Sequence, residues 1–565
     1  MEDCYIFHSD IVQELASLFG PEILIEMSTS HKIFRLFIFE LKYCNQRFYY
    51  RDVYKFHKLQ SIYLPKFHDF SDFNPNRYSQ IKFLKCYNHD NISHIMLLTN
   101  LRNCFVESNF HHYYPEYFHS NLISMYHVAF YCQPFVSILN KYTNMTSLQY
   151  HGQWRETNEH DFYELKTINH LNNIKSLYIN QIENIYDIWK LTILNQLEIL
   201  TLNDFETFDG HRTILFRNFN VTQLDIFYTG SEHFDKCVLD NCTRLKSITL
   251  HRCDDFTINY MNNIRTLIIY ESRNNFMKNL EFDLNIYTNL KYFVFHSRKE
   301  SNRLFTLSNL SKLQYVDLTN VAFDGNIGIT KLQLKDEGWN RTYELELISF
   351  ENLRYLQICS IDIINLNKLT KLENLYVNNV SKNIFDDLHS CVHLTSLELT
   401  QCKITNLSTL TNLFYLSIRS HRNKIYNSKD IADICDQLNN LIKLTKLVLN
   451  FDISKKKKIL FDCNLLSRCI NLKSFQTNMR LNHFFHLTKL HTLNLDGSSW
   501  KNYYNSTLSL LTRLTYIETY IGKKNRIVNI INLTRLEHRQ MPCIEIKDDE
   551  PQITLPTRLI SKNKN

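Results

Sequence analysis

Histidine and cysteine are the side chains of this chain that could carry catalysis or hold a metal, and its 565 residues include 24 His and 15 Cys. His483 and His486 are three residues apart, and His111 is next to His112, but no carboxylate or cysteine set adjoins either pair in the sequence. The sequence has no Cys-x-x-Cys pair, no His-Glu-x-x-His motif and too few glycines for a phosphate-binding loop. We therefore expect no catalytic residue, no metal site and no cofactor.

Charge and cysteine usage limit the classes of partner and compartment. The 64 basic and 57 acidic side chains leave a formal charge of +7, which is small for a chain of this length. The densest basic run, Lys455 to Lys458, has three interpretations: a nuclear-import signal, a contact with an anionic partner or a solvated loop. Scattered cysteines, odd in number, and an acidic N-terminus predict free thiols in a cytoplasmic or nuclear protein that is not secreted. No apolar run approaches the roughly 18 residues of a membrane span, so we expect no membrane partner.

A repeated pattern must position any functional side chains, because the same L-x-x-L-x-L frame recurs along most of the chain. One copy has its first apolar residue, which we call the anchor, at Leu394, and continues with Leu397 and Leu399. Most neighbouring anchors are about 19 to 26 residues apart, giving about 20 units. The anchors are Leu59, Ile81, Leu101, Leu122, Met145, Ile174, Leu197, Val221, Leu245, Ile264, Leu290, Leu313, Ile329, Leu353, Leu372, Leu394, Leu413, Leu444, Leu472, Leu490 and Leu514.

This frame predicts an architecture. The second and third apolar residues of a unit would alternate inward along a short strand, and only stacked units could bury that face. The pattern resembles the leucine-rich repeat of the short, about 22-residue type, over residues 56–540. The resemblance implies an α/β fold: a solenoid with a parallel concave sheet, which we expect to form an irregular arc because the intervals are uneven.

Several residues depart from the leucine-rich-repeat pattern; the missing Asn predicts a less regular curvature, and packing explains the cysteines. The usual Asn eight residues after the anchor is replaced in many units, by Cys253, Cys402, Ile182, Val321, Ile361 and Val380. Cys242, Cys391 and Cys469 occupy the apolar position three residues before an anchor, so we predict structural thiols. The intervals from Met145 to Ile174, from Leu413 to Leu444 and from Leu444 to Leu472 are long, and we expect their extra residues to form surface loops.

The concave face is where a partner would bind. The residue between the two inward positions of each strand, and the one after the second, should lie on that face. Tyrosine there offers a large amphipathic area, although an ordinary abundance of Tyr explains the positions equally well. The predicted partner-binding residues are Tyr63, Tyr126, Tyr178, His251, Tyr270, His296 and Tyr376. Lys85, Lys335 and Arg419 are too isolated to predict a nucleic-acid surface.

The two ends do not repeat. Residues 1–50 predict a helical N-terminal cap with apolar stripes on either side of Gly20-Pro21, and residues 541–565 predict a C-terminal cap followed by a flexible tail. The first segment resembles an F-box, the helical module that docks on the small adaptor of cullin-RING ubiquitin ligases, although the usual Leu-Pro opening is Phe7-His8 and the usual Trp is Phe34. The resemblance implies adaptor-binding residues at Ile11, Leu15, Leu18, Pro21, Leu24 and Phe34.

These observations predict a non-catalytic interaction scaffold whose repeats hold a protein. In its specific form, the N-terminal module would make the chain an F-box-like substrate receptor of a ubiquitin ligase. The alternative is a structural or host-interaction solenoid with no ligase link. The composition, rich in Asn, Lys, Ile, Tyr and Phe, is similar to that of leucine-rich-repeat proteins of AT-rich protists and amoeba-infecting large DNA viruses.

Overall fold

The computed structural model describes a series of short segments that carry the repeat. They are residues 61–64, 81–87, 99–107, 123–129, 142–151, 171–182, 196–205, 213–217, 220–227, 236–251, 256–259, 262–271, 284–297, 304–324, 328–336, 344–347, 349–380, 388–402, 407–420, 428–451, 460–483, 486–495, 511, 513–514 and 516–519; for part of the strands only the backbone is described. The chain forms two compact units, Met1–Phe282 and Asp283–Asn565. The predicted N-terminal cap with its F-box-like residues, the Lys455 to Lys458 run and residues 541–565 lie outside the described residues.

The first unit contains a parallel sheet in which every predicted anchor is followed by a strand. Its order is β1-β2-β3-β4-β5-β6-β7-β9-β11-β13. A second parallel sheet of this unit has the order β12-β10-β8. The strands are β1 (Ser61–Leu64), β2 (Phe83–Tyr87), β3 (Asn103–Glu107), β4 (Ser124–Ala129), β5 (Ser147–His151), β6 (Ser176–Ile182), β7 (Ile199–Phe205), β8 (Thr213–Arg217), β9 (Gln223–Phe227), β10 (Lys236–Asp240), β11 (Ser247–His251), β12 (Phe256–Asn259) and β13 (Thr266–Tyr270).

The second unit repeats this design. Its main parallel sheet has the order β14-β16-β18-β20-β22-β23-β24-β25-β27-β29-β30, and three further parallel pairs are β15-β17, β19-β21 and β26-β28. The strands are β14 (Tyr292–His296), β15 (Leu304–Phe305), β16 (Tyr315–Thr319), β17 (Ala322–Phe323), β18 (Lys331–Lys335), β19 (Glu344–Glu346), β20 (Tyr355–Cys359), β21 (Asp362–Ile364), β22 (Asn374–Asn378), β23 (Ser396–Thr400), β24 (Tyr415–Arg419), β25 (Lys446–Asn450), β26 (Leu460–Asp462), β27 (Ser474–Thr477), β28 (Arg480–Asn482), β29 (Thr492–Leu495) and β30 (Tyr516–Thr519).

Alternation along each strand builds the core. In β13 the inward Leu267 and Ile269 are fully buried, whereas Thr266, Ile268 and Tyr270 between and beside them are partly exposed. The anchors whose side chains are described are buried as well. Parallel pairing in register then stacks equivalent residues of successive repeats at about 4.8 Å, so each apolar column continues from repeat to repeat. These strands and their spacing make each unit a leucine-rich-repeat solenoid, the fold class that the sequence predicts.

Four repeats of the second unit leave the sheet through a left-handed backbone turn that the frame alone did not indicate. Asn320, Ser360, Asn379 and Gln401 directly follow a strand and have φ values of 53° to 61°, the left-handed region. Their N–H groups nonetheless donate to the strand end of the next repeat, for example Asn379 to the Thr400 carbonyl at 2.8 Å. The left-handed residue thus turns the chain sharply without leaving a buried donor unpaired.

The long interval from Leu413 to Leu444 corrects one prediction. Its extra residues are not only a surface loop, because they include an α-helix, α1 (Ser428–Leu438). Ile431, Ile434, Cys435 and Leu438 are buried along this helix at spacings of one turn. The buried side chains form one face of α1, so the extra residues of this longer repeat pack as a helix against the core.

The cysteines pack as predicted where they are described, whereas the apolar residues at the Asn position differ, because Val321 and Ile361 are only partly buried. Cys402 and Val380, which replace the Asn, are buried, and the Cys402 thiol lies 3.7 Å from the Val377 carbonyl of the preceding repeat. The thiols of Cys242, Cys391 and Cys469 are buried, and each lies near a backbone carbonyl of the preceding repeat, those of Phe216, Leu366 and Leu438. Burial raises the pKa of Cys469 to about 11, which keeps its thiol protonated and unreactive. Cys253 lies outside the described residues.

Candidate protein-binding face

The sheet positions opposite the core carry rows of polar and aromatic side chains in the second unit. β16, β18 and β20 pair without a register shift, so that Tyr315, Lys331 and Tyr355 form one row. Asp317, Gln333 and Gln357 form the next row. Because the inward leucines hold each strand, these side chains stand at strand spacing on one surface. We call this surface the tyrosine face and define it by Tyr315, Lys331, Gln333, Tyr355, Gln357, Tyr376, Glu398 and Tyr415.

Hydrogen bonds connect the tyrosines across three repeats. The Tyr315 hydroxyl donates to Gln333 Oε1 at 2.7 Å, and Gln333 Nε2 donates to the Tyr355 hydroxyl at 3.3 Å. The Tyr355 hydroxyl in turn donates to Gln357 Oε1 at 2.9 Å, and Gln333 Nε2 also reaches Gln357 Oε1 at 3.1 Å. Gln333 acts as acceptor and donor at once, so this chain of bonds fixes the two phenol rings relative to each other.

Lys331 lies between the same two rings. Its Nζ is 5.1 Å from the Tyr315 ring centroid and 4.6 Å from that of Tyr355. Both distances are within the range in which a cation is attracted to an aromatic face. The lysine stem therefore fills the gap between two tyrosines that a single repeat separates, and Lys446 lies over the Tyr415 ring in the same way at 5.1 Å.

The ring of Tyr376 continues the aromatic surface beside Tyr355. The two ring centroids are 5.2 Å apart and the planes are tilted by 35°, a favourable offset geometry. Burial by these neighbours raises the pKa of Tyr355 above its usual value, and the hydrogen bond from Gln333 partly offsets that rise. Tyr355 is thus a neutral donor and acceptor at physiological pH.

A charged group lies at the far end of this face. The Tyr415 hydroxyl donates to Glu398 Oε2 at 3.2 Å, and Arg419 Nε is 3.9 Å from Glu398 Oε1 and 3.2 Å from Ser417 Oγ. Burial is the main cause that raises the pKa of Tyr415, so its hydroxyl also stays protonated. Glu398 therefore has two neighbours that orient it without covering it completely.

The opposite end of the same face carries His296 and Asp317. His296 Nε2 is 3.1 Å from Asp317 Oδ1, and both side chains are partly exposed. This pair joins adjacent repeats, since β14 and β16 pair in register. The His296 Nε2 atom itself is buried, so this contact serves to link the two repeats.

The first unit has a different surface in the equivalent position. The Phe227 and His251 rings are 4.3 Å apart, and His251 stacks on Tyr270 at 4.1 Å with an interplanar angle of 22°. Asn203 Nδ2 donates to Asn180 Oδ1 at 2.6 Å farther along the strand ends. The last residues of successive strands therefore build an aromatic column that is partly exposed.

The predicted partner-binding residues are placed as follows. Tyr178, His251, Tyr270, His296 and Tyr376 all lie at strand positions opposite the core and are partly buried. Tyr63 and Tyr126 lie in β1 and β4, but their side chains are outside the described residues.

Sequence reasoning missed Tyr315, Lys331, Tyr355 and Tyr415 because it considered only two positions of each strand. These residues all occupy the first strand position, two residues after an anchor. The recurrence of Tyr and Lys at that position is the signal that could have identified them.

Among the described residues, no group of three or more His, Cys, Asp and Glu side chains could hold a metal ion. His483 does have a carboxylate neighbour in space, because Asp462 Oδ1 lies 3.3 Å from its Nδ1, whereas the sequence around it has none. His486 Nε2 contacts Asn464 Oδ1 at 3.0 Å. Both histidines thus connect the turns of neighbouring repeats.

In the part of the chain that the structure describes, no helix has the length and apolar character needed to cross a membrane.

No protein-family profile and no curated protein matches the chain. Solved structures with a similar course of the chain include an internalin of Listeria monocytogenes, 16% identical over 68% of this chain and 83% of its own, with a TM-score of 0.27. The leucine-rich-repeat protein LIC12759 of Leptospira interrogans is 14% identical over 68% of this chain and 87% of its own, with a TM-score of 0.36. The structure of the TLR13–ssRNA13 complex is 14% identical over 87% of this chain and 75% of its own, with a TM-score of 0.49. At these identities and scores, the fold assignment depends on the strand pairing of this chain itself.

Proposed function

We propose that the chain is a non-catalytic scaffold that holds a protein partner on the sheet surface opposite the core, with the tyrosine face of the second unit as its main contact. The observation that carries the proposal is the network of Tyr315, Gln333, Tyr355 and Gln357, which holds two aromatic rings at a partly exposed surface. Rings fixed before binding lose little conformational entropy when a partner arrives. Tyrosine is also enriched at the centres of protein interfaces.

The charge pattern of this surface favours a protein over a nucleic acid. Lys331, Arg419 and Lys446 alternate with Asp317 and Glu398 among the described side chains. A phosphate backbone would meet carboxylates at two of these places, whereas a protein surface with charges of both signs can pair with each. Polar side chains with satisfied but exposed hydrogen bonds can exchange those bonds for a partner's groups at little cost.

The test uses a photo-crosslinking amino acid at Gln357 in the full chain, expressed in its own cells. A protein crosslinked there and then purified should bind wild type directly, and Tyr355→Ala with Tyr376→Ala should weaken that binding by at least 100-fold, as expected for two central aromatic anchors. Phe414→Ala is the matched control, because it removes an exposed aromatic ring that is not one of the residues of the tyrosine face. Equal binding of the double variant and wild type, or an equal loss in the control, would refute the proposal.

The specific form of the proposal concerns residues 1–50. Their resemblance to an F-box supports a role in which the repeats hold a substrate protein and Ile11, Leu15 and Leu24 contact the adaptor of a cullin-RING ligase. In that role the chain positions a substrate and performs no step of its own. The chain should co-purify with the adaptor, and a Leu15→Asp, Leu24→Asp variant should not. If wild type retains no adaptor, the alternative of a structural or host-interaction solenoid, in keeping with the viral or protist composition, takes its place.

A further inference from the structure

One edge of the second unit carries exposed apolar side chains in consecutive repeats. Val392 is 56% exposed, Phe414 46%, Ile442 49% and Ile470 60%. They belong to the segments that lead into β23, β24, β25 and β27, one residue from each. Large apolar side chains exposed singly are ordinary, but a contiguous group of them marks a surface that binds something.

Backbone hydrogen bonds hold these segments side by side. The Phe414 N–H donates to the Thr395 carbonyl at 2.8 Å, and the Thr445 N–H donates to the Phe414 carbonyl at 2.9 Å. The Lys473 N–H then donates to the Thr445 carbonyl at 2.8 Å. The strands that follow pair in register with no shift. Val392, Ile442 and Ile470 lie two residues before an anchor and Phe414 lies one residue after one, and the Asn412 and Asn471 side chains donate to the Val392 and Ile442 carbonyls. The four apolar residues therefore flank one column of anchors over about 15 Å, since each repeat advances about 4.8 Å.

The same edge is basic. The lead-in segments 388–395, 407–414, 438–445, 466–473 and 487–491 contain Lys443, Arg468, Lys473 and Lys489 and not a single Asp or Glu. Lys443 Nζ donates to Asn412 Oδ1 at 2.6 Å and Lys489 Nζ to Asn471 Oδ1 at 3.0 Å. Because the asparagine partners are neutral, they orient these ammonium groups without compensating their charge. We call the four cations and the four apolar residues the basic-apolar edge.

In two other repeats, the cation of the lead-in segment is paired with a carboxylate. Lys175 Nζ pairs with Glu198 Oε1 at 2.8 Å, and the Arg354 guanidinium pairs with Glu373 Oε1 at 3.2 Å. Both of these cations belong to lead-in segments of β6 and β20, where a carboxylate of the next repeat offsets the charge. Lys312 and Lys371 of the second unit have asparagine partners as Lys443 does, so among the described residues it is the exposed apolar side chains next to such cations that distinguish this stretch.

Against the expectation of no membrane partner, which rested on the lack of an apolar run long enough to span a bilayer, we propose that the basic-apolar edge binds peripherally to an anionic lipid surface. Lysine and arginine near such a surface are attracted by its negative potential, and exposed Phe, Ile and Val side chains enter the headgroup region. A second copy of the chain is a poor occupant, because a two-fold contact would oppose cations to cations. A folded acidic partner would need a recess that fits its side chains, whereas four side chains about half exposed project from a strip. A fluid lipid layer has no register to match.

The experiment is co-sedimentation of the full-length protein with phosphatidylcholine vesicles, with and without phosphatidylserine. Wild type should bind only the vesicles that contain phosphatidylserine, and high salt should weaken binding. Lys443→Gln with Lys473→Gln should lower the partition constant roughly 25-fold, because each cation contributes about 1 kcal/mol and 1.4 kcal/mol is tenfold. Ile442→Ser with Ile470→Ser should lower the partition constant by a similar factor. Because the substituted side chains are exposed, neither pair should change the thermal unfolding midpoint of the protein by more than a few degrees.

The matched control is Lys175→Gln with Arg354→Gln, which removes the same formal charge from paired positions of the edge. It should bind vesicles as wild type does. Three results would overturn the proposal: no binding of wild type to anionic vesicles, an equal loss in the control, or unchanged binding of the isoleucine variant. Salt-sensitive binding of polyglutamate that the lysine variant loses, without vesicle binding, would assign the edge to an acidic protein instead. Failure here leaves the tyrosine face untouched, because Gln357 crosslinking reports on that face separately.

Discussion

Replacing Leu397 by alanine should destabilise the second unit strongly, because this side chain lies in the middle of a continuous apolar column. Leu397 is fully buried in β23, and in register it faces Leu375 of β22 and Leu416 of β24, which are also fully buried. The backbone on both sides is held by parallel pairing. The neighbouring strands therefore cannot move inward to fill the space that the missing side chain leaves.

The expected cost is about 3 to 5 kcal/mol of unfolding free energy, the upper part of the range for Leu→Ala in a core that cannot collapse. For a unit of this size, one kcal/mol corresponds to about 2 °C in the midpoint, so the transition should fall by roughly 6 to 10 °C. Leu397→Met conserves most of the volume and should cost less than about 1.5 kcal/mol.

Calorimetry and urea denaturation followed by circular dichroism would measure both quantities. The matched control is Thr400→Ala on the same strand, since Thr400 is partly exposed on the opposite face and should change the free energy by at most about 0.5 kcal/mol. A Leu397→Ala protein that unfolds within about 1 kcal/mol of wild type would show that the column relaxes. Equal losses for the two variants would show that the alternation of inward and outward residues is wrong.

Three further results are expected. Asn320 has φ 60°, and its side-chain Nδ2 donates to the Ser297 carbonyl at 2.7 Å. Asn320→Ala should therefore lower the free energy of unfolding by about 2 kcal/mol in urea denaturation, and Asn320→Gly should lower it less because glycine tolerates this backbone conformation. A larger loss in Asn320→Gly than in Asn320→Ala would contradict this. Burial raises the pKa of Cys469 to about 11, so the stability that its protonated thiol contributes is present below about pH 9 and lost as the pH rises through 11. Between about pH 9 and pH 11, wild type should lose about 2 kcal/mol more unfolding free energy than Cys469→Ala. Parallel curves of unfolding free energy against pH for the two proteins would refute this. Gln333→Met keeps the burial of Tyr355 but removes the hydrogen bond from Gln333 that favours the Tyr355 phenolate, so the pKa of Tyr355 should rise. An ultraviolet difference titration against the matching Tyr355→Phe protein would measure this pKa. A lower pKa in Gln333→Met would show that Gln333 acts mainly by desolvation.

Much of the fold could be predicted from the spacing of apolar residues. Leu197, Leu290 and Leu444 are examples of anchors that the sequence identifies and the structure buries completely before a strand. The reason is that a buried position in a repeat accepts few residue types, so its pattern survives in the sequence. For the same reason, a cysteine in place of the usual Asn predicts packing, and Cys402 is buried.

The candidate surfaces could be predicted only in part. Tyr376 and His296 were placed on the correct side of the strand by alternation alone, but their neighbours were not. Lys331 reaches Tyr315 and Tyr355 from repeats of unequal length, and only the in-register pairing of β16, β18 and β20 brings the three together. Exposed positions accept many residue types, so a local pattern does not reveal which of them cooperate.

The sequence by itself determined that this chain stacks short parallel strands, because the inward leucines can be buried only if successive repeats cover one another. The tertiary structure alone decided which surface residues act together. It joined Gln333 to two tyrosines, placed the helix Ser428–Leu438 in the long interval after Leu413, and aligned Phe414, Thr445 and Lys473 on one edge. The physical reason is that contacts between repeats depend on the register of hydrogen-bonded strands about 4.8 Å apart, a distance that residue spacing along the chain does not encode.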